Sequence, residues 1–403
     1  MTRALVAAAL VLLLAASCGP EEPPKPPGVP KTSVIAKPAN DAAERASIAN
    51  FGHGATVVWR SGEALLETSA LATIDGDPTS YWTNLPNDFP QALTIALAAP
   101  ARIEQVGVRA FDKAVNDPKE TVFEVSTDGR TFRPLATLRV KPAGDPQWLD
   151  VQPTDAAFLR VTMPEPSVAG GHAALASILV RGRELAPARS GDIVGCWTVN
   201  GRPTVFSSET TGTMQYEQSQ LHFKGGRSGR IYRYEWIRGP EFGYAAFAVS
   251  PDGKHLNGIQ WHEEIVPLFV GDHWFGVECA GHAGALTAAA RPPHSIVADE
   301  FLKRTGRHSL YSLDADELQW LARQLRQHPN ARLVAHEFRE ATPAANRARA
   351  QRALDSLVQA LHNAGVEPRG VTLVAAGSDN ARQIPGSEAA RELYSTVDLE
   401  VGR

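Results

Sequence analysis

ALATIDGDPTSYWTN (70–84) is the stretch on which the fold of the first half of the chain turns. Asp75 and Gly76 read as a tight turn. An aspartate hydrogen-bonds its own backbone there, and a glycine supplies a positive φ that side chains resist. Trp82 reads as a core residue just beyond it. Outward from this turn run short alternating strands: LTIAL (93–97), IEQVGVRA (103–110), TVFEVS (121–126), FLRVTM (158–163) and SILVRG (177–182). The turn signals DGD, NDP and DGR separate them. Alternating apolar positions with turns between them predict an antiparallel β-sandwich over 33–184.

Five elements in order resemble the discoidin-like family, the coagulation factor V/VIII type C domains also found as bacterial carbohydrate-binding modules. They are an Ala-x-x-Asp-Gly-x-x-x-x-x-Trp turn (72–82), the apolar strand PQALTIALAAPARIEQVGV (90–108), FEVSTDGRTF (123–132), FLRVT (158–162) and ALASILVRG (174–182). The resemblance implies an all-β, eight-stranded jelly-roll sandwich that binds sugars or lipid head groups through loops at one end. It raises a structural calcium ion as a cofactor, with Asp75 and Asp77 as candidate ligands, because oxygen-rich turns suit a hard cation. The acid such sites often take from the last strand is Ser177 here, and the competing reading is a plain turn. Sugars need an aromatic face flanked by hydrogen-bonding groups. Candidates in predicted loops are His53, Trp59, Arg60, Phe111, Asp112, Trp148 and His172.

The first residues carry an address. Arg3 gives a positive start, residues 4–17 form an uncharged core of 14, and Ala15, Ala16 and Ser17 stand directly before Cys18. A helix needs roughly 20 apolar residues to cross a bilayer, so 1–17 reads as an export signal. Small residues before a cysteine resemble a bacterial lipobox, which implies cleavage before Cys18 and lipidation of its thiol. The other reading is an ordinary signal peptide with Cys18 incidental. Several acyl chains on one residue give stable membrane binding, whereas one chain does not. GPEEPPKPPGVPK (19–31), with six prolines, cannot pack a core. As polyproline II at about 3.1 Å per residue it spans up to ~40 Å. Residues 18–32 thus read as an acylated cysteine and its linker. Gly19, where inner-membrane lipoproteins often carry Asp, favours the outer membrane.

At 403 residues, 43% hydrophobic and 21% charged, the chain is globular and too long for one domain. Removing Arg3 from the 40 Lys and Arg leaves 39 against 44 acids, a net charge near −5 with no basic stripe. That balance excludes a nucleic-acid footprint. With Cys18 acylated, Cys196 and Cys279 remain, an even pair best read as one disulfide in an oxidising compartment. Two buried free thiols are the alternative. The pair brackets a small all-β domain at 192–280, faintly barrel-like, which a disulfide would tie first strand to last. This block holds His255, His262, Glu263, Glu264, His273 and Glu278. A zinc-protease helix needs a second His four residues after the first, and position 266 is Val. A surface zinc site on a strand is conceivable through His262 and Glu264. Trp236, Trp261 and Trp274 read as core. GHAGALTAAARPP (281–293) reads as a linker.

From 294 to 403 helices and strands alternate. Asp314 with Glu317, and Thr342 before Pro343, are helix starts. ARLVAHEF (331–338) and VTLVAAG (371–377) are strands, so the domain is α+β. SLYSLDADEL (309–318), NARLVAHEF (330–338), NAGVEP (363–368) and VTLVAAGSDN (371–380) resemble, in order and spacing, an OmpA-like wall-binding domain. In that family a strand-end Asp and a helix Arg hold diaminopimelate of peptidoglycan. Here Phe338 stands at the Asp position, Glu337 beside it, and Ala353 at the Arg position. Tyr394, Ser395 and Thr396 replace a further Asn-Arg-Arg. His336 and Asn346 match, and Glu337 with Arg352 are the residues that would rewire the pocket.

No Gly-x-Ser-x-Gly elbow, P-loop or dinucleotide turn is present. The chain therefore reads as a non-catalytic, lipid-anchored protein of the cell envelope, binding glycan or cell-wall polymer. The alternatives are a cell-surface hydrolase with its site in the middle domain, and a scaffold contacting other envelope proteins.

Overall fold

The computed structural model describes residues 42–63, 68–85, 88–111, 117–142, 144–216, 218–262, 273–279, 295–311, 313–368, 370–379 and 395–402. Cys18, the proline-rich linker, Asp112, Glu263, Glu264, the 281–293 linker and Tyr394 lie outside the described residues.

A short helix, α1 (Ala42–Arg45), precedes seven strands: β1 (Thr56–Arg60), β2 (Trp82–Thr83), β3 (Gln91–Ala110), β4 (Glu120–Ser126), β5 (Arg133–Arg139), β6 (Gln147–Met163) and β7 (Ala174–Glu184). They join in the order β2-β7-β3-β6-β4-β5, with β1 also on β3. LTIAL and IEQVGVRA, two strands in the sequence reading, are halves of the single strand β3. Its pairing with β6 shifts between Ala96 and Ala101, around the exposed Pro100. Proline lacks the N–H that a ladder needs, yet its φ keeps the chain extended through a bend. The described strands thus number seven against the eight expected. Trp82, Leu93, Ile95, Ile103, Val108, Phe123, Leu159, Val161 and Leu175 fill the core.

The middle domain is a closed up-and-down barrel of eight antiparallel strands: β8 (Gly195–Val199), β9 (Arg202–Ser208), β10 (Thr211–Tyr216), β11 (Ser219–Ser228), β12 (Ile231–Arg238), β13 (Glu241–Val249), β14 (His255–His262) and β15 (His273–Glu278). The seam between β15 and β8 pairs Gly276 with Val199, Val277 with Thr198 and Glu278 with Trp197. The Cys196–Cys279 disulfide, Cα–Cα 5.4 Å, lies beside it. A barrel of this size either fills with side chains or holds one small ligand. This one is filled: Phe206, Phe223, Tyr234, Phe247 and Trp274 meet inside with centroids 5.3–6.0 Å apart. A Cβ on Gly258 would lie 2.7 Å from Phe247, so glycine makes room for that ring.

The last domain runs α2 (Ser295–Thr305), β16 (Arg307–Leu310), α3 (Ala315–Gln327), β17 (Arg332–His336), α4 (Pro343–Asn363), β18 (Thr372–Gly377) and β19 (Val397–Glu400). Its sheet order is β16-β19-β17-β18, with β17 and β18 parallel. Asp314 and Thr342 cap α3 and α4 as the sequence predicts. Leu318, Trp320, Leu321, Leu333, Leu354, Leu357 and Leu361 form the core.

The barrel packs against both neighbours. Ile231, Ala246, Ala248 and Ile259 on its outer face join the sandwich core. Asn257 bonds the backbone of Val57 in both directions, at 2.5 and 3.0 Å. Toward the last domain the contact is mixed: Ile237, Phe242 and Tyr244 of the barrel pack on Val297 and Phe301 of α2, and polar pairs stand beside them. His308 Nδ1 lies 2.6 Å from Glu235 Oε2, both buried, and Arg233 donates to the Ser395 carbonyl at 2.7 Å. Lys224, buried 3.9 Å from Glu317, has its ammonium pulled below its usual range by burial, against the pull of Glu317.

Candidate functional site

At the end of the sandwich where β3 runs out at Ala110 and β7 begins at Ala174, three connections come together. Tyr81, just before β2, stacks on Phe111, just after β3, with centroids 3.6 Å apart and planes at 28°. His172, before β7, places Nδ1 3.0 Å from the carbonyl of Asn84. A carbonyl only accepts, so Nδ1 carries the proton and Nε2 of the neutral ring is left as an acceptor. Buried Asn84 ties these loops together: its amide donates to the Asp88 carbonyl at 2.7 Å, and its oxygen accepts from the Ala173 N–H at 2.8 Å. Leu85 and Val168, 57% and 47% exposed, stand on the same connections. Apolar surface, two rings and a ring acceptor thus converge at one end.

Beneath Phe111 the scaffold is pinned by charge. Arg109 grips Glu44 of α1 with two bonds of 2.8 and 3.1 Å, and Ser177 donates to the same carboxylate at 2.8 Å. All three are buried. A paired, fully bonded buried charge is tolerated where a lone one is not.

Of the seven sequence candidates, Asp112 lies outside the described residues; the structure places Phe111 and His172 at the same end of the sheet and the other four elsewhere. His53 lies at the barrel junction, where its carbonyl accepts from Arg230 at 3.4 Å. The Arg60 guanidinium is spent on Glu63 and on the Phe275 ring, 3.5 Å from its centroid. Trp59, 53% exposed, stands alone on β1 among the large exposed apolar side chains. Trp148 is a strand residue, not a loop residue. Its ring lies near Gly107, and Arg181 sits over it at 4.1 Å, which occupies a stacking face. Sequence reasoning missed Tyr81 and Asn84, although both stand in the stretch that decides the fold.

Calcium does not fit the acidic turn. Asp75 Oδ1 accepts the Asp77 N–H at 2.8 Å and Oδ2 accepts the Ser80 hydroxyl at 2.7 Å. Asp77 Oδ1 accepts both the N–H and the hydroxyl of Thr79. Burial, reinforced by the Asp77 charge, pushes the Asp75 carboxyl well above the usual carboxylate range, which favours its neutral form. A hard cation needs several oxygens turned toward it, and three of the four carboxylate oxygens here are turned to N–H and hydroxyl donors of their own turn. Among the described residues, no group of three His, Cys, Asp or Glu side chains could hold a metal ion.

The expected His262–Glu264 zinc pair lies outside the side chains described, and His255 and His273 do not form a site together. Across β14 and β15, His255 pairs with Val277 and His273 with Ile259, so they sit at opposite ends. Glu278 is exposed, whereas His273 is buried.

At the end of β17, Glu337 is buried and saturated. It accepts the N–H groups of Phe338 and Arg339, the Ser395 hydroxyl, and guanidinium contacts from Arg339 at 2.5–2.6 Å and Arg349 at 3.1 Å. Burial alone would raise its carboxyl, but these donors hold it below the usual range. Asn346 is buried on the backbone of Glu340, and His336 is half-buried. Arg352 is exposed on α4 and takes no part in the cluster. The helix arginine that meets Glu337 is Arg349, one turn nearer the helix start than the expected Arg352.

Comparison with known families decides the identity of the first module. Residues 56–178 match the F5/8 type C domain family. No curated protein matches the chain. Solved structures similar to it include module CBM32-3 of a family 31 glycoside hydrolase from Clostridium perfringens, at 17% identity, covering 33% of this chain and 93% of that one (TM-score 0.30). Another is the family 32 carbohydrate-binding module of C. perfringens NanJ in complex with galactose, at 18% identity, covering 32% and 94% (TM-score 0.29). A third, CpGH89CBM32-5 from the same organism, is in complex with GalNAc-β-1,3-galactose, at 24% identity, covering 32% and 93% (TM-score 0.28). The family match spans β1 to the middle of β7 and includes both Phe111 and His172 of the F5/8 type C module.

Proposed function

We propose that this chain is a non-catalytic carbohydrate-binding protein of the bacterial envelope, lipid-anchored at Cys18, whose sugar site is the Tyr81–Phe111–His172 end of its F5/8 type C module. The observation that carries the reading is the convergence of a stacked ring pair and a tautomer-fixed histidine on one set of loops. The C–H face of a pyranose packs on aromatic carbon, while its hydroxyls take directional bonds from groups such as the imidazole. Anchoring in the outer membrane rests on the lipobox-like sequence and Gly19, and the proline-rich linker supplies reach.

Contact between the C-terminal domain and peptidoglycan rests on its OmpA-like sequence resemblance. The saturation of Glu337 argues against a zwitterion grip of the family's kind, and a wall contact there would use the exposed Arg352 and its surroundings instead. The hydrolase alternative gains no support from His255 and His273, which lie at opposite ends of the β14–β15 pair.

The test is a glycan array probed with the full-length chain, followed by titration of the strongest hit. Galactose and N-acetylgalactosamine are the first free sugars to try. Binding that weakens in Phe111→Ala and His172→Ala but persists in Trp148→Ala supports the site. Binding lost only in Trp148→Ala moves it to the sheet face, and an empty array rejects the reading.

A further inference from the structure

The acidic turn has a partner from another domain. Ser69 Oγ lies 2.6 Å from His273 Nδ1, and His273 Nε2 lies 4.0 Å from Asp75 Oδ2. Ser69 and Asp75 belong to the sandwich, His273 opens β15 of the barrel, and all three are fully buried. Around them, Ala70, Leu71, Ala72, Thr73 and Ile74 are buried as well. Burying an imidazole costs free energy unless polar groups meet it; here Nδ1 is hydrogen-bonded to the Ser69 hydroxyl, and Nε2 faces the Asp75 carboxyl beyond hydrogen-bond distance. Two flanking contacts show that the barrel addresses this edge at several points. Asn257 pairs with the Val57 backbone, and Phe275 lies under Arg60. Apolar contact between domains is non-directional, whereas an internal polar contact fixes one register.

We infer that the acidic turn of this module is a docking socket for the barrel and not a cation site: His273 seats between Ser69 and Asp75 and holds module and barrel in register without calcium. The turn's own oxygens are already used, Asp75 by Asp77 and Ser80, Asp77 by Thr79. The nearby carboxylate of Glu44 is committed to Arg109 and Ser177. A barrel histidine thus closes the junction at a place that sequence resemblance assigns to a metal.

The experiment uses the full-length chain after EDTA treatment. Calorimetric unfolding is recorded with and without millimolar calcium chloride, and backbone hydrogen exchange is compared between the natural chain and His273→Gln. The expected results are a Tm that calcium moves by less than about 1 °C, and, in His273→Gln, at least tenfold faster exchange at 69–77 that added calcium leaves unchanged. A calcium-induced rise of several degrees that disappears in Asp75→Asn would overturn the metal-free part. Unchanged exchange at 69–77 in a folded His273→Gln would overturn the docking part. Where His273→Gln does not fold, Ser69→Ala provides the exchange comparison, with the same two outcomes.

Discussion

Two clusters at strand ends of this molecule differ in one property, what is left over once the chain has satisfied itself. At the end of β17, the carboxylate of Glu337 receives two guanidinium groups, two N–H groups and a hydroxyl, all from its own chain. At the loop end of the sandwich, the charges are buried beneath the surface in the Glu44–Arg109–Ser177 network, while Tyr81, Phe111 and His172 stand half-buried above it. The first cluster spends its polarity on stability. The second pairs its charges off in that network and leaves rings and an imidazole at the surface, where the proposed sugar contact lies. Preorganised sites are built in this way, because a contact group helps only when its support is already paid for.

The contrast breaks first at Glu44. Glu44→Ala leaves Arg109 buried and without its carboxylate, and should cost about 3–5 kcal/mol of stability as measured by denaturant unfolding. A loss under ~1 kcal/mol would mean that the pair is not a support. Next comes Glu337→Ala, whose two arginines reach water and so relax in part. About 2 kcal/mol is expected in the same assay, with sugar affinity unchanged. Phe111→Ala should do the reverse, weakening sugar binding by roughly tenfold, or ~1.4 kcal/mol, while unfolding changes little.

The smallest effect concerns pH. Asp128 accepts the N–H groups of Thr131 and Arg130 and the Ser126 hydroxyl, and these bonds pull its carboxyl down to about 2 from 3.8. A lowered folded-state pKa contributes stability that is fully present above 3.8 and fades as pH falls through about 2. Asp128→Asn should therefore flatten the stability profile in that window alone, and a profile unchanged by the substitution would contradict the turn's role.

Much of the fold was legible because local chemistry signals it. Asp75-Gly76 makes the turn, with Gly76 at φ +84°, and Trp82 is core. Asp314 and Thr342 cap their helices, and the two paired cysteines close the barrel seam. The candidate site was legible only in part. Phe111 and His172 follow from residue type and loop position, but Tyr81 reads as the neighbour of a core tryptophan until β2 and β3 are set side by side. Trp148 misled because exposure of an indole says nothing about what covers its faces. Resemblance in spacing points to Arg352 and not to Arg349, because spacing along α4 does not give the distance of each turn from β17. His273 is a contact between domains, for which no local periodicity exists.

The most direct measurement is calorimetric titration of the sugar selected by the array into the full-length natural chain, Phe111→Ala and Glu337→Gln. The account predicts saturable binding to the natural chain, about tenfold weaker binding to Phe111→Ala, and an unchanged constant for Glu337→Gln. Loss of binding in Glu337→Gln with Phe111→Ala unaffected would contradict it, placing recognition in the C-terminal domain and not on the loops of the F5/8 type C module.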